Sequence, residues 1–481
     1  MKRKFITSLI LLLSLNLIVK PFWIFGIDRT VQNVVGASEY GLFFALFNLS
    51  ILLNIVLDFG LTNFNNREIS RHSQLLPRYF SSMFVIKLMM AVVYFVVSFT
   101  LAIFVGYGGR QLWVLGFLAF NQFLSSFILY LRSNISGLQL FKTDSVVSVA
   151  DRVFMIILCG FLLWGPYRHQ FKIEWFVYAQ TLAYIITALL SFAIVWTKSA
   201  FFKPKFDRIF FMAIFKQSYP YAILVLLMSI YYRVDGVMLE RLLPEGSLHS
   251  GVYAQAFRLL DAANMIPFLF ASLLLPIFSR MIKIDESIAP LLRFAFNMLM
   301  ALSIPLALAC VLFRKPIMDT LYVHHAAESS VVLAILMVSF IFISLSYIFG
   351  TLLTANGSLK QLNIISFIGV VLNLTLNLFL IPSFKVVGAA MASLATQAFM
   401  AIMQTVVSVK TFKIKLRLSN GLPMVLFLVG SFAISCICWR YFDKWFTGLV
   451  TSLGISVILA FAVGLIKPKE VLALILEKSE E

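Results

Sequence analysis

The sequence predicts an all-α integral membrane protein of about fourteen transmembrane helices, and three observations carry that prediction. Of 481 residues, 61% are hydrophobic and only 12% charged, with a mean hydropathy of +0.95; soluble domains run at about 45–50% apolar and about 25% charged. Apolar windows of about twenty residues, the length that crosses the hydrocarbon core, recur fourteen times and continue to the C-terminus. Lysine and arginine also alternate in abundance between the two sets of connecting loops.

Taken in order, span 1 (5–27) opens with "MKRKFITSLILLLSL", the basic start and apolar core of a secretory signal. No small-residue cleavage site follows, so it reads as a membrane helix; it carries Lys20. Span 2 (40–60) opens on "YGLFF". Span 3 (79–105) holds Lys87 about eight residues from its inner end, where a long apolar stem is expected to snorkel to the surface. Spans 4 (111–131), 5 (146–165) and 6 (175–197) meet Trp113, Trp164 and Trp175 at their outer ends, as an aromatic belt requires. Span 7 (219–240) holds Arg233 and Asp235. Span 8 (251–278) opens on "YAQAF" and holds Arg258 and Asp261. Spans 9 (291–313) and 10 (329–352) follow, with the exposed pair His324 and His325 in the outer loop between them. Span 11 (361–382) has Asn373 and Asn377 one turn apart, read as interhelical hydrogen-bonding groups. Span 12 (386–409) precedes spans 13 (421–440) and 14 (445–466), whose shared outer loop is flanked by Trp439 and Trp445. The four cysteines, Cys159, Cys310, Cys436 and Cys438, fall inside apolar runs and behave as small hydrophobes; neither a disulfide nor a metal site is expected.

An even number of spans puts both termini on one side. The segments on that side hold 25 of the 39 lysines and arginines, from Lys2, Arg3 and Lys4 to Lys467, Lys469 and Lys478, against 10 on the other. The positive-inside rule makes that side cytoplasmic. The net charge of +18 is then topology and contact with anionic membrane lipid, and nucleic acid is not needed to explain it.

Internal similarity divides the chain further. "YGLFF" in span 2 matches "YAQAF" in span 8, the Lys142 region matches the Lys360 region, and "AQTLA" in span 6 matches "TQAFM" in span 12, all at nearly one offset. Two six-helix lobes in the same orientation follow, 1–210 and 211–412, with spans 13 and 14 and a cytoplasmic tail over 413–481. At that offset Lys20 coincides with Arg233.

The four lysines and arginines left over from the charge count, Lys20, Lys87, Arg233 and Arg258, lie within spans. Such charges are costly in hydrocarbon and face water-filled cavities or partners. Arg233 and Asp235 point about 200° apart on a helix and need different neighbours. Arg258 and Asp261, at i,i+3, share a face and either neutralise one another or serve a ligand.

Three stretches resemble one family. "VVGASEYGLFFALFNLSILLNIVLDFGLTNFNNREISR" is similar to the opening of polysaccharide-type flippases, with a G-x-x-x-Y-G element before the second helix and an F-G-L element ending it. "RVDGVMLERLLPEGSLHSGVYAQAFRLLDAANMIPFLFASLLLPIFSR" resembles their helix 7 to 8 segment, and "LLTANGSLKQLNIISFIGVVLNLTLNLFLIPSFKVVGAAMASLATQ" their helix 10 to 12 segment. The chain is thus identified as similar to Wzx-type flippases of the multidrug/oligosaccharidyl-lipid/polysaccharide exporter superfamily. The resemblance implies a V-shaped, MATE-like two-lobed bundle that moves an undecaprenyl-pyrophosphate-linked oligosaccharide across the inner membrane by alternating access.

On that reading Arg258, Arg233, Lys20 and Arg29 are substrate-binding candidates. Arg258 resembles the helix 8 arginine of related lipid II flippases; Arg29 resembles their charged pair before the first turn, although the order here is Asp-Arg and theirs is Arg-Asp. Asp235, Asp261 and Asp28 either couple transport to H+ or Na+ or hold structural ion pairs. No cofactor and no catalysis are expected, since no GxxxxGK[ST] phosphate loop is present and no large outer loop exists to carry chemistry. A polysaccharide polymerase and a chain-length regulator are the expected partners. A cation-coupled multidrug antiporter and a lipid II flippase are the alternatives; the former calls for an acidic cavity, whereas these intramembrane charges lean basic.

Overall fold

The computed structural model describes residues 15–16, 18–199, 201–203, 206, 208–414 and 421–466. Lys2, Arg3, Lys4, Lys205, Lys415, Arg417, Lys467, Lys469 and Lys478, and most of the first half of span 1, lie outside the described residues. Every described element is helical. Among the described residues, eleven helices are long and apolar enough to cross a membrane, or twelve if one bent pair counts as a single span. Large apolar side chains such as Val92, Phe104, Phe379 and Ile458 stand exposed on their outer faces, a surface that hydrocarbon, not water, can cover. The protein is a multi-pass membrane protein.

The chain forms two compact units, 1–251 and 252–481. In the first, residues 18–22 are helical and run into a π-helical turn, Trp23–Asp28, followed by α1 (Arg29–Val35). Helix α2 (Ala37–Leu52) ends at its C-cap, Leu53, partway along the expected span 2. The expected single span 40–60 is broken: a 3₁₀ turn, Asn54–Leu57, leads to Phe59 at φ 41° and Gly60 at φ 81°, and the chain resumes 50° away as α3 (Leu61–Arg71). Local chemistry explains the break. The Asp58 carboxylate takes the Thr62 N–H at 3.3 Å and the Thr62 hydroxyl, while the Asp58 carbonyl takes the Leu61 N–H at 2.8 Å; a side chain that offers the backbone these alternatives starts a new helix. Gly60 supplies the left-handed conformation that the turn requires.

Helices α4 (Leu76–Phe104), α5 (Arg110–Gly137), α6 (Phe141–Trp164), α7 (Ile173–Lys198) and α8 (Arg208–Leu242) complete this unit. Its core gathers Phe80, Met83, Ile86, Tyr130, Leu131 and Ile135. Two buried tyrosines of this unit are hydrogen-bonded to main chain: the Tyr130 hydroxyl donates to the Phe80 carbonyl at 2.9 Å and the Tyr94 hydroxyl to the Ser50 carbonyl at 2.7 Å. Asn65 and Asn66 of α3 donate to Ser133 and Ser136 of α5 at 2.7 and 2.6 Å. On the opposite face Arg110 clasps Glu39 at 3.0 and 2.6 Å and Glu174 at 2.7 Å, tying α5 to α2 and α7.

The second unit contains the end of α9 (Gly246–Ala263), α10 (Met265–Lys283), α11 (Ala289–Leu312), the short α12 (Arg314–Leu321) and α13 (Ala326–Ala355), then α14 (Leu359–Thr411), α15 (Gly421–Tyr441) and α16 (Trp445–Ala462). Helix α14 runs 53 residues and covers both span 11 and span 12; Lys385, at φ 51° and ψ −129°, breaks it three residues after Pro382. Phe278, Leu299, Ile348, Leu352 and Phe427 form the core, with Ser303 and Ser344 hydrogen-bonded at 2.9 Å within it.

Candidate functional site

Each intramembrane charge has a distinct setting. Asp28 closes the π-helical turn and is only 3% exposed. The Tyr40 hydroxyl donates to both its oxygens, at 2.9 and 3.0 Å, and the Gln32 amide to one at 3.3 Å. π-Helical turns redirect side chains and recur at functional positions. Arg29, the next residue, is half-buried.

Lys20 is half-buried and within electrostatic reach of Arg152, Asp151 and Arg132. Arg152 lies in α6, its guanidinium 5.3 Å from the centre of the Trp23 ring, and contacts Asp151 at 3.6 Å. Arg132 is held by Asp144 through two bonds of 2.8 and 3.2 Å. The charge count places Arg132 and Arg152 among the cytoplasmic-side cations, at the end of span 4 and the start of span 5, and so does not bring them to Lys20.

Asp235 of α8 is 1% exposed. Beside it, Gly236 opens the seam to α2, where an added Cβ would meet Asn48 Nδ2 and Phe44 Cε1 at 2.8 Å. Further along that seam Gly41 lies against the backbone of Ser247 and Gly251, leaving no room for any side chain. Arg233, half-buried, lies 5.0 Å over the Tyr232 ring.

In the second unit Arg258 and Asp261 approach to 3.9 Å, with side chains 16% and 21% exposed. That is longer than a tight bidentate pair, about 2.7–2.9 Å. Asn373 and Asn377, both buried, bond to one another at 3.1 Å along α14. His324 and His325 are exposed, and His325 lies 4.0 Å from Glu328. The four cysteines are free, and among the described residues no group of three or more His, Cys, Asp or Glu gathers as metal ligands would.

Lys87 departs from the sequence expectation. It does not snorkel. Its side chain is 1% exposed, and Nζ donates to the Leu57 carbonyl at 2.9 Å, to Asp58 Oδ1 at 2.5 Å and to Ser126 Oγ at 3.0 Å. The break in span 2 creates two of these acceptors: it frees the Leu57 carbonyl and turns Asp58 toward α4. An ammonium with three acceptors is satisfied where it stands and has no need of the surface. Asp58 in turn lines a cavity of about 560 Å³ together with Asn63, Arg67, Ser218 and Tyr221.

These broken and bent apolar helices, with charges buried along them, make a fold that solved structures share. The lipid II flippase MurJ in an inward closed conformation is 14% identical, with a TM-score of 0.72 over 96% of this chain and 100% of that chain. An inward-facing multidrug resistance MATE family transporter of the MOP superfamily is also 14% identical, with a TM-score of 0.65 over 81% of this chain and 94% of that chain. The Vibrio cholerae MATE transporter VcmN in the bent form is 13% identical, with a TM-score of 0.53 over 84% and 94%. No curated protein matches by sequence. The model of the family described as polysaccharide biosynthesis protein matches residues 8–282, more than half of the chain. The chain belongs to that polysaccharide biosynthesis protein family.

Proposed function

We propose that the protein is a flippase that carries an undecaprenyl-pyrophosphate-linked oligosaccharide from the cytoplasmic to the outer leaflet of the bacterial inner membrane, for surface polysaccharide assembly. Membership of the polysaccharide biosynthesis family, over residues 8–282, carries this reading. The physics of such a cargo supports it. The polyprenyl tail is at home in hydrocarbon, whereas the pyrophosphate and sugars are not, so the protein shelters only the head. Arg258, Arg233, Lys20 and Arg29 are each a cation that a pyrophosphate can meet, and a guanidinium can grip it through two parallel bonds. Asp28 and Asp235, buried carboxylates on helical segments of one unit, are the groups suited to couple the cycle to H+ or Na+. No step requires bond making, so the protein acts without catalysis or cofactor. Both termini lie in the cytoplasm, where a polymerase's substrate begins its path outward; the polymerase and a chain-length regulator are the partners.

Reconstitution tests the reading. Vesicles holding the purified protein and lipid-linked oligosaccharide from the source strain should expose the glycan to an external impermeant glycosidase in a gradient-dependent manner. No exposure, with efflux of a cationic dye instead, would overturn it in favour of a drug antiporter.

A further inference from the structure

We propose that the cavity between Asp58, Asn63 and Arg67 on one wall and Ser218 and Tyr221 on the other binds a sugar ring of the cargo. The proposal rests on the flippase reading and extends it to a site that no intramembrane arginine contributes to. The cavity, about 560 Å³, falls in the size range of small-molecule sites, roughly 300–1,000 Å³. It opens beside the break in span 2, at the end of the segment whose following residues, Arg67, Arg71 and Arg78, the charge bias assigns to the cytoplasm.

Its chemistry selects a neutral, hydroxyl-rich ligand. Both charges at its wall are compensated from within: Lys87 neutralises Asp58 at 2.5 Å, and Glu68 contacts Arg67 Nε at 3.1 Å. A pyrophosphate would meet no net positive charge here, and a cationic drug no net negative charge. Among the described residues, the bonds to Asp58 from Lys87, the Thr62 N–H and the Thr62 hydroxyl all fall on Oδ1. They lock the carboxylate and leave Oδ2 to accept from a ligand hydroxyl. A carboxylate held by a buried second group is positioned as a recognition site should be. Asn63, exposed at the same rim, offers both a donor and an acceptor.

Aromatic faces complete the pattern. Phe59 also lines the cavity, with Phe215 5.1 Å from it; the Arg67 guanidinium is 5.3 Å from the Phe64 ring; Tyr221 is half-exposed. These flat apolar surfaces suit the C–H face of a pyranose, while Asp58 and Asn63 suit its hydroxyl edge. An apolar ligand would strip water from both polar groups and replace none of their bonds.

The test compares two lipids on the full chain in nanodiscs: undecaprenyl pyrophosphate, and the undecaprenyl-pyrophosphate-linked oligosaccharide extracted from the source strain. Wild-type protein should bind the glycan-bearing lipid roughly tenfold more tightly, as one or two added hydrogen bonds and a stacked ring allow. Asn63→Leu and Tyr221→Ala, both at exposed positions where folding is not at stake, should remove that difference and leave undecaprenyl pyrophosphate binding unchanged. Variants that discriminate as wild type does, or that lose both lipids equally, would overturn the sugar site. Equal wild-type affinity for the two lipids sinks the sugar site alone; binding of neither sinks the cargo assignment with it.

Discussion

Lys87 Nζ lies 2.5 Å from Asp58 Oδ1, yet the two partners stand in different surroundings, the lysine side chain 1% exposed and the aspartate side chain 28%. Removing one charge is therefore not equivalent to removing the other. Asp58→Asn strands an ammonium in the core, a loss on the order of 3–5 kcal/mol for a buried pair. Lys87→Met leaves a carboxylate that keeps Thr62 and faces the cavity, and should cost clearly less. Thermal unfolding in detergent reads the difference. Equal losses would mean that both charges are solvated.

The seam between α2 and the start of α9 depends on backbone contact at Gly41 and Gly251. Gly41→Ala and Gly251→Ala should each lower the yield of monodisperse protein severely, since the atom displaced is backbone and cannot rotate away. Gly454→Ala, at a position with nothing within 4 Å, should behave as wild type or slightly better. Size-exclusion profiles of the three variants decide it.

Arg258 and Asp261, 3.9 Å apart, separate cargo binding from mutual neutralisation. Arg258→Ala should abolish glycan export at near-normal abundance, and Arg258→Lys should restore only part of it, because an ammonium keeps the charge and loses the planar fork. Restoration of both abundance and export by adding Asp261→Asn to Arg258→Ala would instead make the pair structural.

For coupling, Asp28→Asn should preserve the fold, since an amide oxygen still accepts from Tyr40, and should abolish gradient-driven transport. Asp235→Asn should do the same. Retained gradient dependence in either variant removes that residue from the coupling step.

Orientation is accessible by labelling. Cysteines introduced at Gly108 and His169 should react with an impermeant thiol reagent from outside, and those at Ser73 and Asp285 should react only after the membrane is opened. The reverse pattern would invert the topology.

Much of the bundle is legible in the sequence, because hydrocarbon imposes a length and a composition on every crossing helix: α4 to α8 follow spans 3 to 7 closely. What the sequence conceals are events with no hydropathy signature. Asp58-Phe59-Gly60 reads as the end of an apolar run, and only the backbone shows that it is a turn with α3 beyond it. Lys87 looked like a snorkelling side chain because its partners, Leu57, Asp58 and Ser126, are some thirty to forty residues away and one is a main-chain carbonyl freed by that turn. Asp28 and Asp235 could be singled out as charges in apolar surroundings, but the Tyr40 and Gln32 donors to Asp28 required the π-helical turn to be seen. The bond between Asn373 and Asn377, one turn apart along α14, is likewise without a hydropathy signature.

The buried ammonium also constrains how the chain is made. Helix α4 on its own would carry an unneutralised charge into lipid, at a cost of a few kcal/mol or more, and the broken end of α2 would carry a bare carbonyl. Each defect cancels only when Lys87 meets Leu57 and Asp58, and Ser126 of α5 supplies the third acceptor. Insertion of these three segments together avoids both defects, and a deletion in α5 that removes Ser126 takes away one of the three acceptors of the ammonium.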